Sequence, residues 1–287
     1  MRHVYRCPLR WADLDLQGHV NNVVYVDYLQ EARVDLMRAV GLSRTAHGDP
    51  GQDMADGVVV VRHEVTYLAP LTLRFRPVSI ECWITEVRAA SFTMAYEVFH
   101  DTEDGGREVY VRATTVLSPF VFAAERPRRL TPREQEALAP YLEPAAGERT
   151  PRIASVDRDG AHHFDLHVRF SDVDLYRHVN NVKYFEYFQE ARIRMIAEAT
   201  RDTGVTMPQI VVAQTDVDYR RPILLRPEAY VVRSRVARLG TRSMTIEAEI
   251  ADGDEALSRS RVTVVFWDGA AQRSTEPPAA LRDVLLG

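Results

Sequence analysis

The chain has 287 residues, 46% of them hydrophobic, and a formal net charge of -5, which is enough for one large domain or two ordinary ones with a sizeable core. Acidic and basic residues are interspersed, so no basic footprint for nucleic acid stands out, and no stretch approaches the roughly 18 apolar residues of a membrane span. Cys7 and Cys82, with no secretory-type leader before them, read as two buried thiols of a reducing cytoplasm better than as a disulfide. Met1-Arg2-His3 runs straight into a strand-like segment, so a soluble, unprocessed chain is expected.

Residues 4–11 alternate as a short strand and lead into a polar turn. Asn21 or Asn22 is the candidate N-cap of a helix over 22–40, where Tyr25, Tyr28, Leu29, Ala32, Leu36 and Val40 recur at helical spacing. Strands are expected over 58–67, 78–87, 93–100 and 109–117, with Gly105-Gly106 at a hairpin. Residues 125–158 are rich in Pro, Arg and Glu and hold Thr131-Pro132-Arg133-Glu134, a capping box with proline at the first helical position. This segment reads as a linker carrying a short helix.

The order then begins again. A strand over 163–170 leads to a helix over 181–200 with Tyr184, Tyr187, Phe188, Ala191 and Met195 on one face. Strands follow over 210–219, 229–237, 244–250 and 258–267, with Asp252-Gly253 at a hairpin and a Pro277-Pro278 tail. Consecutive strands without intervening helices predict an α+β chain, each copy an antiparallel sheet packed on one helix.

Residues 10–33 and 169–192 are identical at 15 of 24 positions, at a constant spacing of 159 as from His19 to His178. Downstream, Val65, Tyr67 and Pro70 match Val217, Tyr219 and Pro222 at a spacing of 152, so the first copy has a longer loop. The expected organisation is a first domain over 1–124, a linker over 125–158 and a second domain over 159–287.

Trp11-Ala12-Asp13-Leu14-Asp15-Leu16-Gln17-Gly18-His19-Val20-Asn21-Asn22, followed by Tyr25, Tyr28, Glu31 and Arg33, resembles the signature of hotdog-fold thioesterases. The resemblance is to the 4-hydroxybenzoyl-CoA thioesterase-like branch and to plant acyl-acyl-carrier-protein thioesterases. It is specific over about the first 40 residues of each copy and architectural over the rest. It implies two tandem hotdog domains, each an antiparallel sheet wrapped around a long central helix, a fused pair replacing the usual homodimer, with sites where two hotdogs meet. Further homo-oligomers are open.

Carried over by position, the family's catalytic carboxylate falls on Asp15 and Asp174, and the plant enzymes' histidine four residues on falls on His19 and His178. Where the plant motif has asparagine two residues after the aspartate, this chain has Gln17 and Tyr176, a departure that bears on the second site above all. The implied function is hydrolysis of an acyl-CoA or acyl-carrier-protein thioester to acid and thiol, with no cofactor.

The chemistry needs a nucleophile or a base for water, and donors aimed at the carbonyl oxygen. A carboxylate at a helix entrance supplies the first, and helix-start N–H groups can supply the second. Direct attack and water activation by the aspartates both stay open. Asn21, Asn22, Asn180 and Asn181 are placed to fix the loop, Tyr25 and Tyr184 to line the cleft, and Arg220 and Arg221 to hold phosphates of CoA.

Aspartate and asparagine before a helix are often simple caps, and Asp13 and Asp172 are read as structural. Glu31, Arg33, Glu190 and Arg192 read as solvated or interdomain ion pairs. Two Asp/His ligands per copy do not make a metal site. The competing functions are a noncatalytic hotdog that binds acyl-CoA or acyl-carrier protein, and a hotdog hydratase acting on enoyl or 3-hydroxyacyl thioesters.

Overall fold

Alternation at the start of each copy becomes an edge strand, β1 (His3–Cys7) in the first. It stops short of the expected residue 11 because the Asp13 carboxylate takes the Arg10 backbone N–H at 2.9 Å and turns Trp11–Asp13 into one 3-10 turn. The second copy does the same through Asp172 and Arg169, also at 2.9 Å.

The computed structural model describes residues 1–42, 56–145, 150–201, 203–205 and 207–286. Residues 43–55, where most of the first copy's longer loop falls, lie outside the described residues. The chain divides into two units, Met1–Thr150 and Pro151–Gly287.

In unit 1, β1 and helix α1 (Val24–Ala39) are followed by β2 (Asp56–Tyr67), β3 (Val78–Val87), β4 (Phe92–Asp101) and β5 (Arg107–Val121). The strands pair antiparallel in the order β1-β3-β4-β5-β2. Tyr25, Leu29, Ala32 and Leu36 on one stripe of α1 are buried, as are Ile80, Ile84, Met94 and Val98 of the sheet. Each of the leucine, isoleucine, methionine and valine side chains among these contributes about 1.5–3 kcal/mol of hydrophobic stabilisation. The sheet and the stripe therefore form one core.

The segment after β5 packs on the same unit. A two-residue strand β6 (Arg126–Pro127) pairs with β5, helix α2 (Pro132–Leu138) buries Leu138, and the Glu143 N–H reaches the Ile84 carbonyl at 2.8 Å. The capping box is formed in full: Thr131 Oγ1 accepts from Glu134 N at 3.2 Å while Glu134 accepts from Thr131 N at 2.7 Å. Thr131→Ala should cost about 1 kcal/mol, read as a small fall in the midpoint of thermal unfolding.

Unit 2 repeats the plan with β7 (His162–Leu166), α3 (Lys183–Thr200), β8 (Ile210–Tyr219), β9 (Tyr230–Leu239), β10 (Ser243–Asp252) and β11 (Glu255–Asp268). Its antiparallel order is β7-β9-β10-β11-β8. A short β12 (Arg273–Ser274) pairs with β11, and α4 (Ala279–Leu286) buries Leu281 and Leu285 against Met195 and Ile196 of α3. Among the described residues no helix is long and apolar enough to cross a membrane.

Arg33 and Arg192 overturn one expectation. They are not on a solvated face with Glu31 and Glu190 but are 8% and 6% exposed, inside the stripe that each helix turns inward. The reason is their helical phase: each lies four residues beyond a core residue, Leu29 or Phe188. The two glutamates stay exposed.

Candidate active site

The motif of each copy folds into a tight loop at the start of its central helix, and its two aspartates play opposite parts. Asp13 is 2% exposed and receives the Tyr28 hydroxyl, the Arg10 N–H and the Arg10 guanidinium at 2.8 Å. Burial alone would raise its pKa, but Arg10 and Tyr28 outweigh it and hold the carboxyl below the usual range. Asp172 is held the same way by Tyr187 at 2.7 Å and Arg169 at 3.2 Å. These carboxylates are spent on fixing the loop.

The second aspartate is only half-buried. Asp15 Oδ1 accepts the backbone N–H of Gln17 at 2.8 Å and of His19 at 3.1 Å, while the Asp15 N–H bonds the His19 carbonyl at 2.8 Å. Both side-chain bonds fall on Oδ1, and Oδ2 has no protein partner among the described residues. Closing so small a loop requires a left-handed residue, which is Gly18 at φ 76° in unit 1 and Arg177 at φ 64° in unit 2.

Asp174 repeats the geometry, accepting Tyr176 N at 2.9 Å and making the backbone bond to the His178 carbonyl at 2.8 Å. Burial pushes its carboxyl up, against the lowering pull of the Tyr176 and His178 N–H groups. Tyr176 is half-buried where Gln17 is exposed, and burial, with the Asp174 charge adding to it, raises its phenol, so the two side chains are neighbours.

The asparagines do not cap the helices as expected. The helices start two residues later, at Val24 and Lys183, with Val23 and Val182 at the caps in helical conformation and no side-chain cap bond. Asn21 Oδ1 and Asn180 Oδ1 instead accept the N–H groups of Val23 and Val182, each at 3.3 Å. This is a local Asx turn ahead of the helix. The Asn22 and Asn181 carbonyls receive the hydroxyls of Tyr67 and Tyr219, each at 2.8 Å, which ties the ends of β2 and β8 to the motif.

Tyr25 and Tyr184 are 3% exposed and close against the aspartate loop from the helix side. A backbone N–H from the loop after β2 or β8, Leu71 or Ile223, bonds each phenol oxygen, the second at 3.2 Å. Burial raises both phenols, and the charges of Asp15 and Asp174 push the same way. Each site thus gathers a carboxylate and a neutral phenol near one helix entrance.

His19 and His178 are half-buried, and their backbones bridge Thr72 and Leu224. The His19 ring has no protein partner among the described residues. Arg220 and Arg221 follow Tyr219 and are exposed, with Arg221 Nε on Glu255 at 2.9 Å. A surface cavity of about 670 Å³ on unit 1, lined by Arg74, Arg76 and Glu108 among others, includes none of the motif residues. Sequence reading missed the clamp of Arg10 and Tyr28 on Asp13 and the loop at Leu71 and Ile223. The first was signalled by recurrence of Arg, Asp and Tyr in both copies.

A family model described as the thioesterase-like superfamily matches residues 9–140 and 168–285. The long-chain acyl-CoA thioesterase FadM of Escherichia coli is 27% identical over 128 residues, 42% of this chain and 93% of that protein. A complete relative therefore fits within less than half of the chain. Among solved structures, a 12:0-ACP thioesterase from Umbellularia californica superposes at a TM-score of 0.71 with 19% identity, over 91% of this chain and 95% of that one. An acyl-ACP thioesterase from Bacteroides thetaiotaomicron does so at 0.68 with 15% identity, over 92% and 97%. At these identities the similarity is one of fold.

Proposed function

The chain belongs to the thioesterase-like superfamily and is a thioester hydrolase by that membership; from this premise we propose that it cleaves an acyl-CoA or acyl-carrier-protein thioester with Asp15 and Asp174. In this reading the chain is a tandem double hotdog, one carboxylate to each unit. The duplication and the family match to two separate segments support it. A cytoplasmic location goes with the same reading.

The observation that carries the mechanism is the asymmetric use of the Asp15 carboxylate. Two backbone N–H groups fix Oδ1 and leave Oδ2 without a protein partner among the described residues, which supports a role toward a bound substrate for that oxygen. It attacks the thioester carbonyl, or takes a proton from the water that does. Negative charge then gathers on the carbonyl oxygen, and the phenols of Tyr25 and Tyr184, held neutral by burial, are the donors beside it. The carbon–sulfur bond breaks as the carbonyl re-forms and the thiolate takes a proton from water; on the water route this gives the acid at once, and on the direct route it leaves a mixed anhydride on the aspartate that water hydrolyses to the free acid and the restored carboxylate.

Thiol release across a panel of short, long and aromatic acyl-CoAs and an acyl-carrier-protein substrate tests this reading. No release from any member would end it.

The second site adds a pH signature. Asp174 works as carboxylate, and burial raises its pKa, so it is protonated, and idle, to a higher pH than an ordinary aspartate near 3.9. In Asp15→Asn, where Asp174 works alone, activity should fall as pH drops through a midpoint above about 4. A pH–rate profile flat down to pH 4 would contradict it.

A further inference from the structure

Each central helix is wound too tightly at its entrance. In a regular α-helix the Asn22 carbonyl would take the Val26 N–H, four residues on. Here the Val26 N–H goes to the Val23 carbonyl at 3.2 Å and the Val24 N–H to that of Asn21 at 3.0 Å, both at the three-residue spacing of a 3-10 turn. Unit 2 repeats this, with Phe185 on Val182 at 3.2 Å and Lys183 on Asn180 at 2.9 Å. The helix ladder therefore passes over the carbonyls of Asn22 and Asn181, and regular winding begins only at Val24 and Lys183.

A tyrosine takes up each of the two carbonyls. Tyr67, the last residue of β2, donates its hydroxyl to the Asn22 oxygen at 2.8 Å, and Tyr219, the last of β8, donates to Asn181 at 2.8 Å. The C=O and N–H of a trans peptide point opposite ways, and the far end of each of these peptides is held as well, by the bonds of the Val23 and Val182 N–H groups to Asn21 Oδ1 and Asn180 Oδ1 at 3.3 Å. Each peptide is thus clamped at both ends. The same two rings stand edge-on to the next tyrosine, with centroids 5.8 Å apart for Tyr67 and Tyr25 and 4.9 Å for Tyr219 and Tyr184.

We propose that Tyr67 and Tyr219 are positioning residues of the two candidate sites, their hydroxyls holding the first helical turn in its tight winding so that Tyr25 and Tyr184 present their phenols to the substrate. The inference rests on the reading of those phenols as donors to the carbonyl oxygen. Tyr25 lies inside the turn, between Asn22 and Val26, and Tyr184 lies likewise between Asn181 and Phe185. A 3-10 turn has about 3.0 residues and an α turn about 3.6, so rewinding rotates the chain by about 20° per residue, roughly 2 Å at the radius that side chains reach. A buried donor moved that far loses its line to the developing charge.

Neither Tyr67 nor Tyr219 touches the substrate in this reading; each acts through the turn it fixes. The competing explanation is packing, in which the ring alone matters. Phenylalanine separates the two, because it keeps the ring and its edge-on contact and removes only the hydroxyl. Without that donor the half-buried Asn22 carbonyl needs another partner. The Val26 N–H is the group that regular winding would bring to it.

The test is the full chain carrying Tyr67→Phe and Tyr219→Phe together, assayed for thiol release on the acyl thioester that the parent turns over best. kcat should fall about 10–100-fold with KM held within about twofold, and a crystal structure of the variant should show the Val26 and Phe185 N–H groups moved to the Asn22 and Asn181 carbonyls. In a folded variant, kcat within about twofold of the parent, a loss confined to KM, or a first turn wound as before would each overturn the proposal. If the double variant does not fold by circular dichroism, Tyr67→Phe with Asp174→Asn and Tyr219→Phe with Asp15→Asn are read in the same way, one site at a time. A parent with no turnover on any acyl thioester ends the hydrolytic reading alone, and the crystal structure of the variant then decides whether the tyrosines set the winding.

Discussion

Replacing both Asp15 and Asp174 by asparagine is expected to lower acyl-thioester hydrolysis by about 10²–10⁴-fold. Asparagine keeps the shape of the side chain and an oxygen to accept the N–H groups of residues 17 and 19, or 176 and 178. The loop should therefore hold its form. What is lost is the negative charge that, in the proposed mechanism, attacks the carbonyl or takes a proton from water. Thiol release measured on the double variant, with near-ultraviolet circular dichroism as the control for fold, gives the result directly. A folded double variant at parental rate would remove the carboxylates from the mechanism. The single variants divide the activity between the units, and one of them at background rate would show that only one site turns over.

The neighbouring pair should respond in the opposite way. Asp13→Ala or Asp172→Ala leaves the buried Tyr28 or Tyr187 hydroxyl without its acceptor, at about 1–3 kcal/mol. For units of this size that is a fall of roughly 2–4 °C in the unfolding midpoint per kcal/mol. The sign with pH is fixed by the direction of the shift. Both carboxyls are held below their unfolded value, so their stabilisation is present above about pH 4 and is lost as pH falls through the lower folded values. Scanning calorimetry between pH 7 and pH 3 should show the parent and Asp13→Ala curves converging at the acid end. Parallel curves would assign Asp13 a role other than charge.

Much of this was legible before any coordinates, because duplication acts as an internal control. Two copies that share Asp13 and Asp15 with Asp172 and Asp174 single out both positions, and the elements fall close to where alternation and helical spacing put them. The strands at 78–87 and 210–219 coincide with β3 and β8. Helix starts were misplaced because asparagine signals two structures with the same side-chain oxygen, a cap and an Asx turn. Only the backbone angles at Val23 and Val182 separate them. Burial of Arg33 was hidden for a similar reason. An i,i+2 Glu–Arg pair reads as surface charge, and nothing local says that the sheet will close over one member and leave the other in water.

Cys7 and Cys82 both lie in unit 1, both are buried, and burial pushes each thiol up to about 12. Folded protein should therefore be silent toward disulfide reagents such as those used to follow released CoA, and the assay needs no correction for the enzyme's own sulfur. Under denaturant the same silence becomes a probe. Labelling of these two atoms can begin only when the first half of the chain opens, so its onset times that half's unfolding independently of the cysteine-free second half.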